Sequence, residues 1–261
     1  YFRRVVISGP DDVCKKYTSP IMLTMWQAIE NNTISADQTI CSGSTPIQLT
    51  GLTPTQGDHT YTYQWQDSIK SGAWTTRSTT GTPYGPSALT DTTWYRRVVN
   101  SSECTSRSNR IVVNVHDPIT NNTIAADTTI CNGSNPNKIR GKLPVGGNKI
   151  FSYQWYSSNS NFVADSAQIS VSGTLINYDP SSLASTISYR REVISGMCKT
   201  RSNKVTVTVL PSITNNTITP DKPEVCFNTS PGLITGSPLT GGAGGTPTWI
   251  WQDSTSGIAF T

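Results

Sequence analysis

The groups in this sequence that could do chemistry are six cysteines, two histidines and sixteen carboxylates in 261 residues. The cysteines form two alternating classes, an early one (Cys41, Cys131, Cys226) and a late one (Cys14, Cys104, Cys198). Thiols at such spacings either bond to one another in an oxidising compartment or ligate a metal. No two cysteines stand as C-x-x-C, and His59 and His116 have no counterpart elsewhere in the chain, so disulfides are expected and no metal. With two unmatched histidines, a Ser-His-Asp arrangement has too little to work with. Asp67 and Asp253 recur in Trp-Gln-Asp-Ser, but Ser157 takes the corresponding place in between, so they do not read as a catalytic pair. Gly241-Gly242-Ala243-Gly244-Gly245 precedes a strand pattern rather than a helix, which makes it a hairpin and not a phosphate cradle. No D-x-D-x-D-G calcium loop occurs. The chain is therefore expected not to be an enzyme and to carry no cofactor.

Two kinds of binding signal remain. Arg3-Arg4, Arg96-Arg97 and Arg190-Arg191 recur as pairs and could form a basic stripe against an acidic polysaccharide, with Arg96, Arg97, Arg190 and Arg191 the contact residues in the central part of the chain. The competing reading, favoured because the pairs sit inside strands, turns one arginine of each pair to solvent and lays the other along aromatic surface. The net charge of +4 gives no separate reason to expect nucleic acid. N-x-S/T occurs at Asn31, Asn100, Asn121, Asn132, Asn215 and Asn228, and Asp followed by Ser or Thr ends at Ser68, Thr92, Thr128, Ser166 and Ser254.

What must position these residues is a repeat. Asn-Asn-Thr-Ile occurs at Asn31–Ile34, Asn121–Ile124 and Asn215–Ile218, at intervals of 90 and 94 residues. After each come an early cysteine, a Pro-led segment ending in Gly51, Gly141 or Gly236, and an aromatic strand: Tyr63-Gln64-Trp65, Tyr153-Gln154-Trp155, Trp249-Ile250-Trp251. Tyr84–Leu89 then matches Tyr178–Leu183, followed by Tyr95-Arg96-Arg97 and Tyr189-Arg190-Arg191, a late cysteine, Ser-Asn, and the alternating strands Ile111–Val115 and Val205–Val209. This divides the chain into residues 1–29, the end of one repeat; 30–117 and 118–211, complete repeats; and 212–261, the start of another. The expected source is a window of a longer protein. Thr, Ser, Gly and Pro are abundant, charge is only 14%, and no apolar run is long enough for a membrane helix. About seven short strands per 90 residues predict an all-β fold of tandem immunoglobulin-like sandwiches, related to the PKD and fibronectin types, with Trp65 and Trp155 as core tryptophans on the third strand. Short Pro-containing linkers predict an extended rod of such beads.

Two disulfide patterns fit the spacing. Within a repeat, Cys41 would join Cys104 and Cys131 would join Cys198, with Cys14 and Cys226 paired outside the window. Across junctions, the pairs would be Cys14 with Cys41, Cys104 with Cys131, and Cys198 with Cys226. The second pattern must carry Cys104 past residues 106–115, a strand of roughly 33 Å, against a Cα separation below about 7 Å for a bridge. The within-repeat pattern is therefore preferred, and each loop it closes would contribute roughly 4 kcal/mol.

The combination of Asn121-Asn122-Thr123-Ile124, Thr129-Ile130-Cys131, Leu49-Thr50-Gly51, Tyr61–Trp65, Tyr95–Val99 and Ser108-Asn109 leading into Ile111–Val115 resembles the repeat regions of giant Bacteroidota surface proteins, the SprB-type gliding-motility adhesins and related secreted repeat proteins. The resemblance covers nearly the whole chain. It implies export by the type 9 secretion system, an extracellular location at the cell surface, partnership with the gliding machinery, and attachment to a substratum or surface polysaccharide. It also implies O-glycosylation at Ser68, Thr92, Thr128, Ser166 and Ser254. The function expected is the stalk of a large adhesin; carbohydrate-binding modules, or spacers appended to a secreted enzyme, are the alternatives.

Overall fold

A computed structural model describes residues 1–77, 81–125, 127–163, 167–169 and 175–254. Apart from one 3-10 turn at Pro10–Asp12, its regular elements are all strands. The chain forms two compact units, Tyr1–Pro118 and Ile119–Thr261.

The first unit begins with a hairpin of β1 (Val5–Ser8) and β2 (Cys14–Tyr17). It continues with β3 (Gln38–Cys41), β4 (Thr62–Ile69), β5 (Thr75–Thr76), β6 (Thr93–Ser101), β7 (Cys104–Arg107) and β8 (Ile111–His116). These six make one sheet in the order β3-β8-β6-β4-β5, with β7 also paired to β6. All pairs are antiparallel except β3 with β8. Opposite the sheet lies a layer of extended segments held by single bridges: Ile34 to Gly51, Leu49 to Tyr84, Ser44 to Leu89. Two facing β-layers around one apolar centre make an immunoglobulin-like sandwich.

Alternation explains which side chains go inside. On β6, Thr93, Tyr95, Arg97, Val99 and Ser101 are buried on the inner face while Trp94, Arg96 and Asn100 lie half-buried on the outer one. Trp65, fully buried, packs with Ile34, Leu49, Tyr95, Ile111 and Val113. Tyr84 crosses from the bridged layer to stack on Trp65, ring centroids 5.3 Å apart, and to touch Tyr95 at 6.0 Å.

The second unit repeats this plan. Its strands are β9 (Thr128–Cys131), β10 (Ser152–Ser158), β11 (Ala167–Gln168), β12 (Ile187–Ser195), β13 (Cys198–Arg201) and β14 (Val205–Leu210), ordered β11-β10-β12-β14-β9 with β13 on β12. Trp155, Tyr189, Val205 and Val207 fill the centre with Ile124, Ile139 and Leu183. A small hairpin of β15 (Ile218–Pro220) and β16 (Ile234–Gly236) follows.

The register corrects the expected disulfides. Cys41 stands beside His116, three residues beyond the pairing of Val113 with Thr93 at the start of β6, whereas Cys104 pairs with Ser101 at the opposite end of β6. Eleven residues of strand separate the two levels, roughly 36 Å, far beyond the reach of a bridge. Cys131, beside Leu210, and Cys198, paired with Ser195, are separated in the same way. Cys104 and Cys131 are free thiols, as are Cys14 and Cys226, while Cys41 and Cys198 are disulfide-bonded. Neither Cys41–Cys104 nor Cys131–Cys198 forms. Parallel pairing of β3 with β8 sends the early cysteine to one pole of its repeat, and the β6–β7 turn leaves the late cysteine at the other.

Candidate functional site

In the second unit, four recurring phrases of the sequence converge on one buried guanidinium. Arg191 lies on the inner face of β12 and is fully buried. Its Nε and Nη2 donate to Asn122 Oδ1 at 3.1 and 2.8 Å, Nη1 donates to the Ile176 carbonyl at 2.8 Å, and Nη2 donates to the Lys142 carbonyl at 2.9 Å. The Tyr153 ring lies 5.2 Å from its Cζ. In the first unit Arg97, equally buried, donates from Nε to Asn32 Oδ1 at 3.0 Å and from Nη2 to the Leu52 carbonyl at 2.8 Å, with Tyr63 at 5.2 Å. Its Nη1 has no partner. Burial lowers the basicity of both guanidinium groups, partly offset by the neighbouring tyrosine.

The rest of the motif follows from that placement. The first asparagine of each Asn-Asn-Thr-Ile, Asn31 or Asn121, has φ of 57°, a left-handed conformation that asparagine tolerates better than most side chains. The second, Asn32 or Asn122, accepts from the arginine, and Ile34 or Ile124 enters the core. Gly51 and Gly141 are required because a Cβ there would meet arginine Nη1 at 2.4 and 1.8 Å. Ser108 Oγ accepts from the Arg97 backbone N–H, and Asn109 Oδ1 accepts from the Ile34 N–H; Ser202 and Asn203 do the same for Arg191 and Ile124. These phrases build a structural knot. The signal in the sequence is the second asparagine of the phrase, two residues before the buried isoleucine and recurring with the Tyr-Arg-Arg phrase.

The four expected contact arginines therefore separate by face. Arg97 and Arg191 are inaccessible to any ligand, while Arg96 and Arg190 lie on the outer faces. Arg96 Cζ sits 4.1 Å over the Trp74 ring and its Nε donates to Gln66 Oε1 at 2.7 Å. Arg190 Cζ sits 4.8 Å from the Phe162 ring. The pairs thus follow the structural alternative, one arginine outward and one inward, with Arg97 and Arg191 lying against Tyr63 and Tyr153. Asp67 is buried and bonds to Arg77, which raises the basicity of Arg77. Among the expected glycosylation sites, Ser68 is buried, with its hydroxyl donating to the Gly72 carbonyl at 2.7 Å, which leaves no room for a sugar in the folded chain. Thr92, Thr128 and Ser254 are half-buried, and Ser166 lies outside the described residues. Among the described residues no three His, Cys, Asp or Glu side chains gather as metal ligands.

A family model described as Domain of unknown function (DUF8696) matches the chain twice, over residues 30–117 and 120–211. The chain belongs to this family. Each DUF8696 match holds one knot and one tryptophan core. A search of curated proteins gives no match. Solved structures similar to the chain are chains of immunoglobulin domains. Drosophila OTK extracellular domains 3–5 share 10% identity at a TM-score of 0.42, over 76% of this chain and 67% of that one. Titin domains A168–A170 share 11% at 0.40, over 75% and 70%. The N-terminal four Ig domains of a Dscam1 isoform share 12% at 0.33, over 75% and 50%, so the chain spans about half of that structure.

Proposed function

We propose that these repeats are structural modules of a large secreted surface protein and act as the stalk of an adhesin. The observation that carries the reading is which residues the two complete repeats share. The positions that build the core and the knot are all shared: Trp65 and Trp155, Tyr95 and Tyr189, Arg97 and Arg191, Asn32 and Asn122, Gly51 and Gly141. Outer positions are mixed: the arginines Arg96 and Arg190, Arg107 and Arg201 are kept, while Gln66 and Tyr156, Val98 and Glu192, Thr105 and Lys199 differ, so no outer surface is constant as a whole. A repeated catalytic or binding role would hold a surface constant, whereas a repeated spacer needs only its fold. Disulfide-bonded Cys41 and Cys198 support an oxidising, extracellular setting. The resemblance to SprB-type repeats adds type 9 secretion, a place in gliding motility, and glycosylation at the remaining Ser and Thr sites.

In-frame removal of residues 118–211 from the protein in its own cells tests this. Surface display and attachment should persist. Loss of attachment with display intact would place the binding function in the repeat itself and overturn the stalk reading.

A further inference from the structure

The outer face of the first complete repeat has a chemistry that its sister repeat lacks. Strand register sets Arg96 beside Gln66, Gln66 beside Thr76, and Arg107 beside Val98. Trp74 stands under Arg96, and Arg110 Cζ lies 5.9 Å from the Trp94 ring. Both tryptophans and Arg96 are half-buried, while Arg107 and Arg110 are exposed. Gln66 accepts from Arg96 and donates from Nε2 to Thr76 Oγ1 at 3.1 Å, which holds the guanidinium over the Trp74 ring. Among the described residues no carboxylate forms an ion pair with Arg96, Arg107 or Arg110. From β5 to β7 the face spans three strand spacings, roughly 14 Å, enough for more than one sugar ring.

The second complete repeat keeps the cations but places a carboxylate among them. Arg201 occupies the place of Arg107, but Glu192 replaces Val98. The carboxylate of Glu192 lies 3.1 Å from Arg201 Nε and 3.5 Å from Lys199 Nζ. Tyr156 and Phe162 take the role of the tryptophans against Arg201 and Arg190.

We propose that the outer sheet face of the first complete repeat binds an acidic polysaccharide. Carboxylate or sulfate groups would pair with Arg107, Arg110 and the outer nitrogens of Arg96, and sugar rings would lie against Trp74 and Trp94. Guanidinium groups pair with such anions in bidentate fashion, and indole faces offer sugars a flat apolar surface. This site is additional to the stalk role and does not depend on it: the deletion of residues 118–211 leaves this repeat in place.

Binding of the 261-residue chain to immobilised polygalacturonate, heparin and neutral dextran tests the proposal. Polygalacturonate or heparin should be retained over dextran, with binding weakened by 0.5 M salt. R107A should lower affinity about tenfold, and V98E, which imports the sister repeat's carboxylate, should do the same. E192V should gain binding, and R140A, an exposed arginine elsewhere, should change nothing. R107A removes only an exposed side chain, so its result stands even if V98E perturbs the fold. Equal retention of dextran, no loss in R107A, or an equal loss in R140A would overturn the site. Tighter binding of single-stranded DNA than of either acidic polysaccharide would overturn the ligand class.

Discussion

Replacing Arg191 with alanine should damage the second unit more than the corresponding change at Arg97 damages the first. Arg191 serves three acceptors, buried Asn122 Oδ1 and the part-buried Ile176 and Lys142 carbonyls; Arg97 serves two, buried Asn32 Oδ1 and the part-buried Leu52 carbonyl, and leaves Nη1 unpaired. A buried acceptor stripped of its donor costs about 1–3 kcal/mol. Removing a guanidinium that has no carboxylate partner also relieves the cost of burying its charge, so the lower end of that range applies. The expected losses are about 3 kcal/mol for R191A and about 2 kcal/mol for R97A. In a domain of this size each kcal/mol moves the melting midpoint by roughly 4–8 °C. R191A should therefore lower its transition by roughly 12 °C or more. R96A and R190A, on the outer faces, should stay within about 0.5 kcal/mol of the parent. Denaturant and thermal unfolding followed by tryptophan fluorescence provide the readout, because each repeat supplies one fully buried indole, Trp65 or Trp155. If R191A melts with R190A, or R97A is the more damaging change, the guanidinium does not hold the two layers together and the account of the motif fails.

Three shorter predictions follow from the same geometry. G141A should cost about 1–3 kcal/mol through overpacking against Arg191, measured by denaturant midpoint, and an unchanged midpoint would contradict the close approach. Iodoacetamide without reductant should label Cys104 and Cys131 but not Cys41 or Cys198; a non-reduced Cys41–Cys104 or Cys131–Cys198 peptide would overturn the register argument. Burial pushes the Tyr189 phenol up to about 12, and Tyr95 is raised for the same reason. Between pH 10 and 12 the unfolded chain loses these protons while the folded chain keeps them, so stability should fall as pH rises above 10. Absorbance at 295 nm should show two phenols that ionise only with unfolding, and complete ionisation of a folded chain would refute this.

Spacing and alternation made the sandwich legible. Val205-Thr206-Val207-Thr208-Val209 could only bury one side, and Trp65 and Trp155 could only be core. The cysteine pairing was not legible, because sequence distance says nothing about which pole of a strand a residue occupies. That depended on β3 running parallel to β8, a long-range pairing that no local pattern encodes. The arginine pairs were half legible. Alternation sends one member of each pair inward and the other outward, but choosing which requires the strand phase fixed by Tyr95 and Tyr189. The contrast between Val98 and Glu192 was present in the sequence from the start. It acquired meaning only when strand register placed Glu192 next to Arg201.

The knot also explains why the cysteines lie where they do. In antibody-type domains a tyrosine stands two residues before the sixth-strand cysteine, whose bridge to the opposite sheet packs on the core tryptophan. Here Tyr95 stands two residues before Arg97, on the strand paired with that of Trp65, and Tyr189 stands two before Arg191. The guanidinium takes the place of the bridge: it reaches across to Asn32 and the Leu52 carbonyl in the facing layer, and Gly51 leaves the space for it. Layer-to-layer attachment is thus made by charge-assisted hydrogen bonds that no reductant breaks. A domain that loses an internal core disulfide typically gives up 2–5 kcal/mol. Reduction of this chain should instead leave the unfolding midpoint of each repeat within about 1 kcal/mol of the oxidised value, with Trp65 and Trp155 still shielded from an acrylamide quencher. Exposure of either tryptophan on reduction alone would show that a sulfur bond, and not the arginine, holds the sandwich closed.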